Sequence, residues 1–125
     1  MVQTLGYSVA ECAPRARALR AAFDDEALER LRDALSGPDR CPHGWPLDPA
    51  RARAESERLR SLSSLGPGEH AVVARLAEDD AALVRLAELG VVRGARVEAA
   101  ADGGHAVDGR PVRLSPDEIA CVIVE

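Results

Sequence analysis

The spacing of apolar positions changes character near residue 62. Before it the period is helical. Cys12, Ala16, Leu19 and Phe23 recur three and four residues apart on one face, and Ser8 with Glu11 has the spacing of a capping box. Pro14 has no N–H to donate, so the regular helix is expected to begin at about Ala13, with Pro14 in its first turn. Asp24 is the expected N-cap of a second helix, with Asp25 and Glu26 at the positive end of its dipole. Leu28, Leu31 and Leu35 form one stripe that runs to a stop at Gly37-Pro38. Two short helices with such stripes cannot bury them against each other alone, so the rest of the chain or a second copy is expected to cover them.

The stretch "DRCPHGWPLDP" then gathers three prolines and a glycine, which marks an elbow between structural units. Asp48-Pro49 has the form of an N-cap followed by a first helical residue, but "ARARAESERLRS" carries few apolar positions and predicts a short, solvated helix or linker. From Leu62 on, the pattern becomes that of short strands. "EHAVVARL" and "ARVEAA" read as strands, with the helix "AALVRLAEL" between them, capped by Asp79 or Asp80 and ended by Gly90. "HAVDGRPVRL" reads as a hairpin turning on Asp108-Gly109, Ser115 with Glu118 caps one helical turn, and "CVIVE" is a last strand. The expected architecture is α+β: a helical region over residues 1–47, a linker or short helix over 48–61, and an SH3-like barrel of about five strands over 62–125.

Composition narrows the function classes. Hydrophobic residues make up 46% of the 125 residues, enough for a modest core. Aromatics at 2% and a net charge of −5 argue against base stacking and against a cationic phosphate-binding surface. Cys12, Cys41 and Cys121 form no CxxC pair, so neither a zinc ribbon nor a disulfide framework is indicated, and a reducing cytoplasm is the expected location. No apolar run approaches the length of a membrane span.

"LGYSVAE", "FDDEALERLRDAL" and "CPHGWPLDP" resemble, in that order, the dimerisation region of the iron-dependent repressors of the diphtheria toxin repressor family. "LGPGEHAVVARL", "LAELGVVRGARVEA" and "LSPDEIACVIVE" resemble that family's SH3-like third domain, which also occurs as the FeoA-type ferrous-iron transport protein. The resemblance implies a homodimer. It also implies that the CPHG turn is a structural elbow, beside an anion and a metal site in some members. Trp45 stands where the family commonly has a small polar residue, and is expected to wall an apolar pocket. Family members begin with a winged helix-turn-helix that reads the DNA major groove; no basic recognition helix occurs in these residues, so no direct DNA binding is expected.

On the same match Ala13, Arg17, Arg20 and Ala21 fall where the family carries metal ligands, Asp79 falls where some members have a carboxylate ligand, and Ala82 cannot replace an amide ligand. No metal and no cofactor are therefore expected. If Arg17 and Arg20 face the former cation sites, their fixed charge, together with His43 and Trp45, would form a pocket for an anionic small molecule; if they face solvent, they are ordinary surface charges. His70 and His105 sit in polar strand-end contexts and are expected to be exposed, while Tyr7, Cys12 and Cys121 are expected to pack. None of the common catalytic motifs occurs. The leading reading is a degenerate, metalloregulator-derived dimeric binding or adaptor protein, with an anionic ligand or a protein as partner. The alternative is a scaffold recruited as a small enzyme in a metabolite biosynthetic pathway, with a pocket near the dimer interface and Asp24, Asp25, Glu26, His43 or Tyr7 as acid or base.

Overall fold

The computed structural model describes residues 6–125, and of Val9, Ala10, Ala13 and Asp80 only the backbone; Leu5 and the side chain of Ala13, used in the match above, lie outside the described residues. Helix α1 (Val9–Ala22) starts earlier than its proline suggested. Ser8 Oγ accepts from the Glu11 amide at 3.4 Å and Glu11 Oε2 accepts from the Ser8 amide at 3.0 Å. That capping box closes the first turn ahead of Pro14, which then removes one interior hydrogen bond rather than preventing the helix. Helix α2 (Asp25–Ala34) begins at Asp24, whose carboxylate accepts from the Ala27 amide at 2.8 Å. Ser36 and Gly37 end it, both at positive φ.

Helix α3 (Pro49–Ser56) is capped by Asp48 with Pro49 in its first turn. It is more than a solvated linker, because its last turn supplies the acceptors for a buried arginine described below. The remainder is one six-stranded antiparallel sheet: β1 (Arg60–Ser61), β2 (His70–Leu76), β3 (Arg96–Ala99), β4 (His105–Val107), β5 (Arg110–Val112) and β6 (Val122–Val124). A 3-10 turn (Leu62–Ser64) follows β1, α4 (Asp80–Glu88) lies between β2 and β3, and α5 (Pro116–Ala120) precedes β6. The strand order is β1-β6-β2-β3-β4-β5. Among the described residues no pairing joins β1 to β5, so the closed SH3-like barrel expected from the sequence is an open sheet here. A register shift between Val73 and Arg75 lets β2 pair with β3 along its first half and with β6 along its second.

The β4–β5 hairpin turns on Asp108 and Gly109, both at positive φ, as a two-residue turn of this type requires. Its Asp108 carboxylate also accepts from the Arg96 amide at 3.0 Å. The core is built from Leu62, Val73, Leu86, Val97, Val122 and Val124, each 0–1% exposed. Burying each such side chain contributes about 1.5–3 kcal/mol, which makes this sheet-and-helix unit the stable half of the molecule. Helix α1 packs against α4 and buries Cys12, whereas α2 buries no residue at all. Leu19, Phe23, Leu31 and Leu35 remain 37–43% exposed on the helix pair.

Candidate functional site

The CPHGW turn is the joint between the helices and the sheet, and its backbone is fixed from both sides. Within the turn the Cys41 amide donates to Trp45 O at 2.8 Å and the Gly44 amide to Cys41 O at 3.0 Å. Against the sheet, the Leu76 amide donates to His43 O at 3.0 Å and Trp45 Nε1 donates to Leu76 O at 2.8 Å. Only glycine fits at residue 44: φ is +92°, and a Cβ there would stand 2.3 Å from Ala74 O. Gly44→Ala is expected to destabilise the fold by about 3 kcal/mol or more, because strained backbone and a clash with a main-chain oxygen act together. A urea titration showing a loss below about 1 kcal/mol would contradict that close packing.

This docking brings the turn to the end of β2, where the chain continues through Ala77 to Glu78 and Asp79. One ligand atom each from Cys41, His43 and Glu78 lie within 4.8 Å of one another. His43 Nδ1 stands 3.9 Å from Glu78 Oε1, and the His43 side chain is 7% exposed while that of Glu78 is 70% exposed. His43 Nε2 is buried with no hydrogen-bond partner. An orphaned ring nitrogen in a protein interior costs free energy unless a group absent from the protein atoms meets it. A thiolate, an imidazole and a carboxylate are the donor types that bind zinc and related divalent transition metals, and three protein ligands leave a position open. The carboxylate the family match pointed to, Asp79, is engaged elsewhere: its Oδ1 caps α4, accepting from the Ala81 and Ala82 amides at 3.1 and 3.0 Å.

On the other side of the elbow lies a cleft of about 1050 Å³ between the α2–α3 connection and strand β2. Its framework is an arginine–carboxylate network on Glu55. Arg75, 1% exposed near the end of β2, donates to Glu55 Oε2 at 2.9 Å, to Ser56 Oγ at 3.1 Å and to Ala52 O at 3.3 Å. Its guanidinium lies over the Trp45 ring, 4.7 Å from the centroid. Arg40 binds both Glu55 oxygens and Gly44 O, and Arg51 Nε reaches Glu55 Oε1 at 3.0 Å. Hydrogen bonds from Arg40 and Arg75, and then Arg51, hold the Glu55 carboxyl far below the usual carboxylate range.

The residues singled out in the sequence divide between these places. His43 and Trp45 are in the elbow, His43 beside Cys41 and Glu78 and Trp45 beneath Arg75. Arg17 and Arg20 lie on exposed faces of α1; Arg20 pairs with Asp25 at 3.4 Å and donates to Phe23 O at 3.3 Å, and neither arginine lines the cleft. Tyr7 is half-buried under the Arg15 guanidinium, Asp24 serves as a cap, and Glu26 pairs with Arg30 at 2.8 Å, so these candidate acids and bases do not converge on one cleft. His70 is exposed, and His105 and Cys121 are half-buried.

Residues 60–125 match the FeoA domain. The chain belongs to the FeoA-domain family. Beyond the FeoA domain, nearly the whole chain is similar to solved structures of metal-dependent repressors. A manganese-dependent transcriptional repressor is 27% identical with a TM-score of 0.76, over 98% of this chain and 72% of that one. A manganese-dependent transcriptional repressor in complex with manganese is 27% identical with a TM-score of 0.78, over 98% and 62%. IdeR from T. acidophilum is 24% identical with a TM-score of 0.78, over 98% and 59%. The FeoA-domain chain thus spans about three fifths of the length of the last two. No curated protein matches it. The relation to the iron-dependent repressor family implied by the order of "LGYSVAE", "CPHGWPLDP" and "LSPDEIACVIVE" is borne out, as is a fold that mixes helices with an antiparallel sheet. Among the described residues no helix is long and apolar enough to cross a membrane.

Proposed function

We propose that the chain is a dimeric, metal-responsive binding module in which Cys41, His43 and Glu78 hold one divalent transition-metal ion per protomer. The observation that carries this reading is the cluster itself, one ligand atom each of Cys41, His43 and Glu78 within 4.8 Å of one another with the His43 side chain buried and its Nδ1 towards Glu78. The solved manganese complex of a similar repressor lends it support. The reading departs from the metal-free expectation, but it agrees with it that the positions of Arg17, Arg20 and Ala21 supply no ligands. Bound metal would add positive charge and an exchangeable coordination position at this elbow. The chain's own residues then do the rest: Cys41 and His43 come from the segment carrying the helices, Glu78 from the end of β2, so occupancy ties the helical region to the FeoA domain.

The output of such a tie is binding, to a second copy through the helices and to a further partner. The net charge of −5 favours partners other than duplex DNA. Recruitment as an enzyme gains no support from the placement of Asp24, Asp25, Glu26 or Tyr7. Calorimetry of the metal-free protein against Zn²⁺ and Mn²⁺ tests the metal reading. One equivalent of Zn²⁺ is expected to bind, more tightly than Mn²⁺ because of the thiolate. Cys41→Ser and His43→Gln should each weaken binding by about 100-fold or more, and Co²⁺ should give a thiolate charge-transfer band that Cys41→Ser abolishes. Zn²⁺ binding unchanged in both variants, or no stoichiometric binding, would overturn the reading.

A further inference from the structure

The cleft beside α3 is a second site, distinct from the metal cluster apart from Cys41 at its edge. By side chains it is lined by five arginines, at 40, 51, 58, 75 and 93, against three acids, Asp39, Glu55 and Glu125. Two of the three acids are consumed, since Glu55 takes Arg40, Arg51 and Arg75 and Asp39 takes Arg51 at 2.9 Å, which leaves Glu125 as the one acid of the lining without an ion pair among the described residues. The side chains of Arg58 and Arg93, both exposed, make no hydrogen bond or ion pair among the described residues. Beneath them Arg75 is 1% exposed, and its Nε is buried without an acceptor. A guanidinium keeps its charge under all ordinary conditions, so this wall stays positive. It is also part apolar, because Leu59, Val72 and Val92 line the same cleft, with Val72 and Val92 46% and 39% exposed. At about 1050 Å³ the space is at the upper end of what small-molecule sites offer.

We propose that this cleft binds an organic anion, with its carboxylate or phosphate head held by Arg58 and Arg93 and its apolar body against Leu59, Val72 and Val92. The paired N–H donors of a guanidinium group match an oxyanion in charge and geometry, while the three aliphatic side chains offer nothing to a small inorganic ion. The site rests on residues other than the metal cluster, so it stands or falls independently of metal binding.

Titration calorimetry of the full chain with octanoate, octyl phosphate and inorganic phosphate tests the proposal. Octanoate or octyl phosphate should bind saturably, the tighter of the two identifying the head group, and about tenfold or more tighter than inorganic phosphate. Arg58→Ala and Arg93→Ala should each weaken that binding about tenfold, the loss of one charge-assisted contact, with unchanged circular dichroism. Arg113→Ala, a change at an exposed position outside the cleft, should leave it alone. Trp45, the single tryptophan, lies under Arg75 and should report the same transition in its fluorescence. Failure of both octyl probes to saturate by about millimolar, where a useful site would be occupied, overturns the proposal. So does wild-type affinity in both arginine variants. Inorganic phosphate binding as tightly as octyl phosphate overturns its apolar half.

Discussion

Glu55→Ala is expected to be the most damaging single substitution in the sheet-and-helix unit, lowering the melting temperature by about 10 °C or more. The reason is what remains behind. Arg75 is 1% exposed, and its one carboxylate partner among the described residues is Glu55. Without it a permanently charged guanidinium stays in the interior with only Ser56 Oγ, Ala52 O and the Trp45 face to receive it. An uncompensated buried charge costs more than a missing pair, so Glu55→Ala with Arg75→Leu should be more stable than Glu55→Ala alone. Thermal unfolding followed by circular dichroism checks both. A single variant as stable as the wild type would mean that water or another group solvates Arg75.

The same network sets an acid limit. Glu55 is held well below its ordinary range by Arg40, Arg75 and Arg51, so its folded-state pKa is depressed. A depressed carboxyl stabilises the fold above its unfolded value of about 4.3, and that contribution disappears as pH falls from there towards the folded value. Glu69, lowered chiefly by Arg60, and Glu11, lowered chiefly by Ser8, act in the same window. Between about pH 5 and pH 2 the Glu55→Gln variant should therefore lose stability less steeply than the wild type, but not become flat.

What was legible in the sequence was local. The capping boxes at Ser8–Glu11 and Ser115–Glu118, the caps at Asp24, Asp48 and Asp79, and the Asp108-Gly109 turn all formed where the spacing placed them. Each is decided by residues within about a turn of one another, so neighbouring letters suffice. The sites depend instead on distant contacts: Arg75 with Glu55 across 20 residues, Trp45 with Leu76 O across 31, and Glu78 with the Cys41–His43 turn. Parity along β2 would have set Arg75 with the buried Ala71 and Val73, but the register shift after Val73 pairs it with Ile123, so it faces the other side of the sheet and meets Ser56, Ala52 and Glu55 there. Asp79 drew attention as a carboxylate near a helix start. Capping consumed it, and its neighbour Glu78 reached the cluster. The charges of Arg17 and Arg20 could not be assigned a direction from α1 alone, because that helix is exposed over most of its surface.

Leu31→Asp is expected to convert a dimer into a folded monomer. Leu31 and Leu35 lie on one stripe of α2, which buries none of its residues within the protomer, and Leu19 and Phe23 add a second exposed pair on α1. With about two fifths of each of these side chains facing water, the helix pair has an apolar face that the other described residues leave uncovered. In the proposed dimer a second copy would cover it in a twofold arrangement, so each substitution is introduced twice per dimer. Losing a buried leucine contact and burying a carboxylate at both copies should cost about 4 kcal/mol or more, on the order of a thousandfold in dissociation constant. Because Leu31 is already 42% exposed in the protomer, its replacement should leave the sheet core intact. Light scattering or analytical ultracentrifugation at micromolar concentration gives the mass, and circular dichroism gives the fold. A wild-type protein that is monomeric there, or a Leu31→Asp variant that dimerises with wild-type affinity, would show that this face is not the interface.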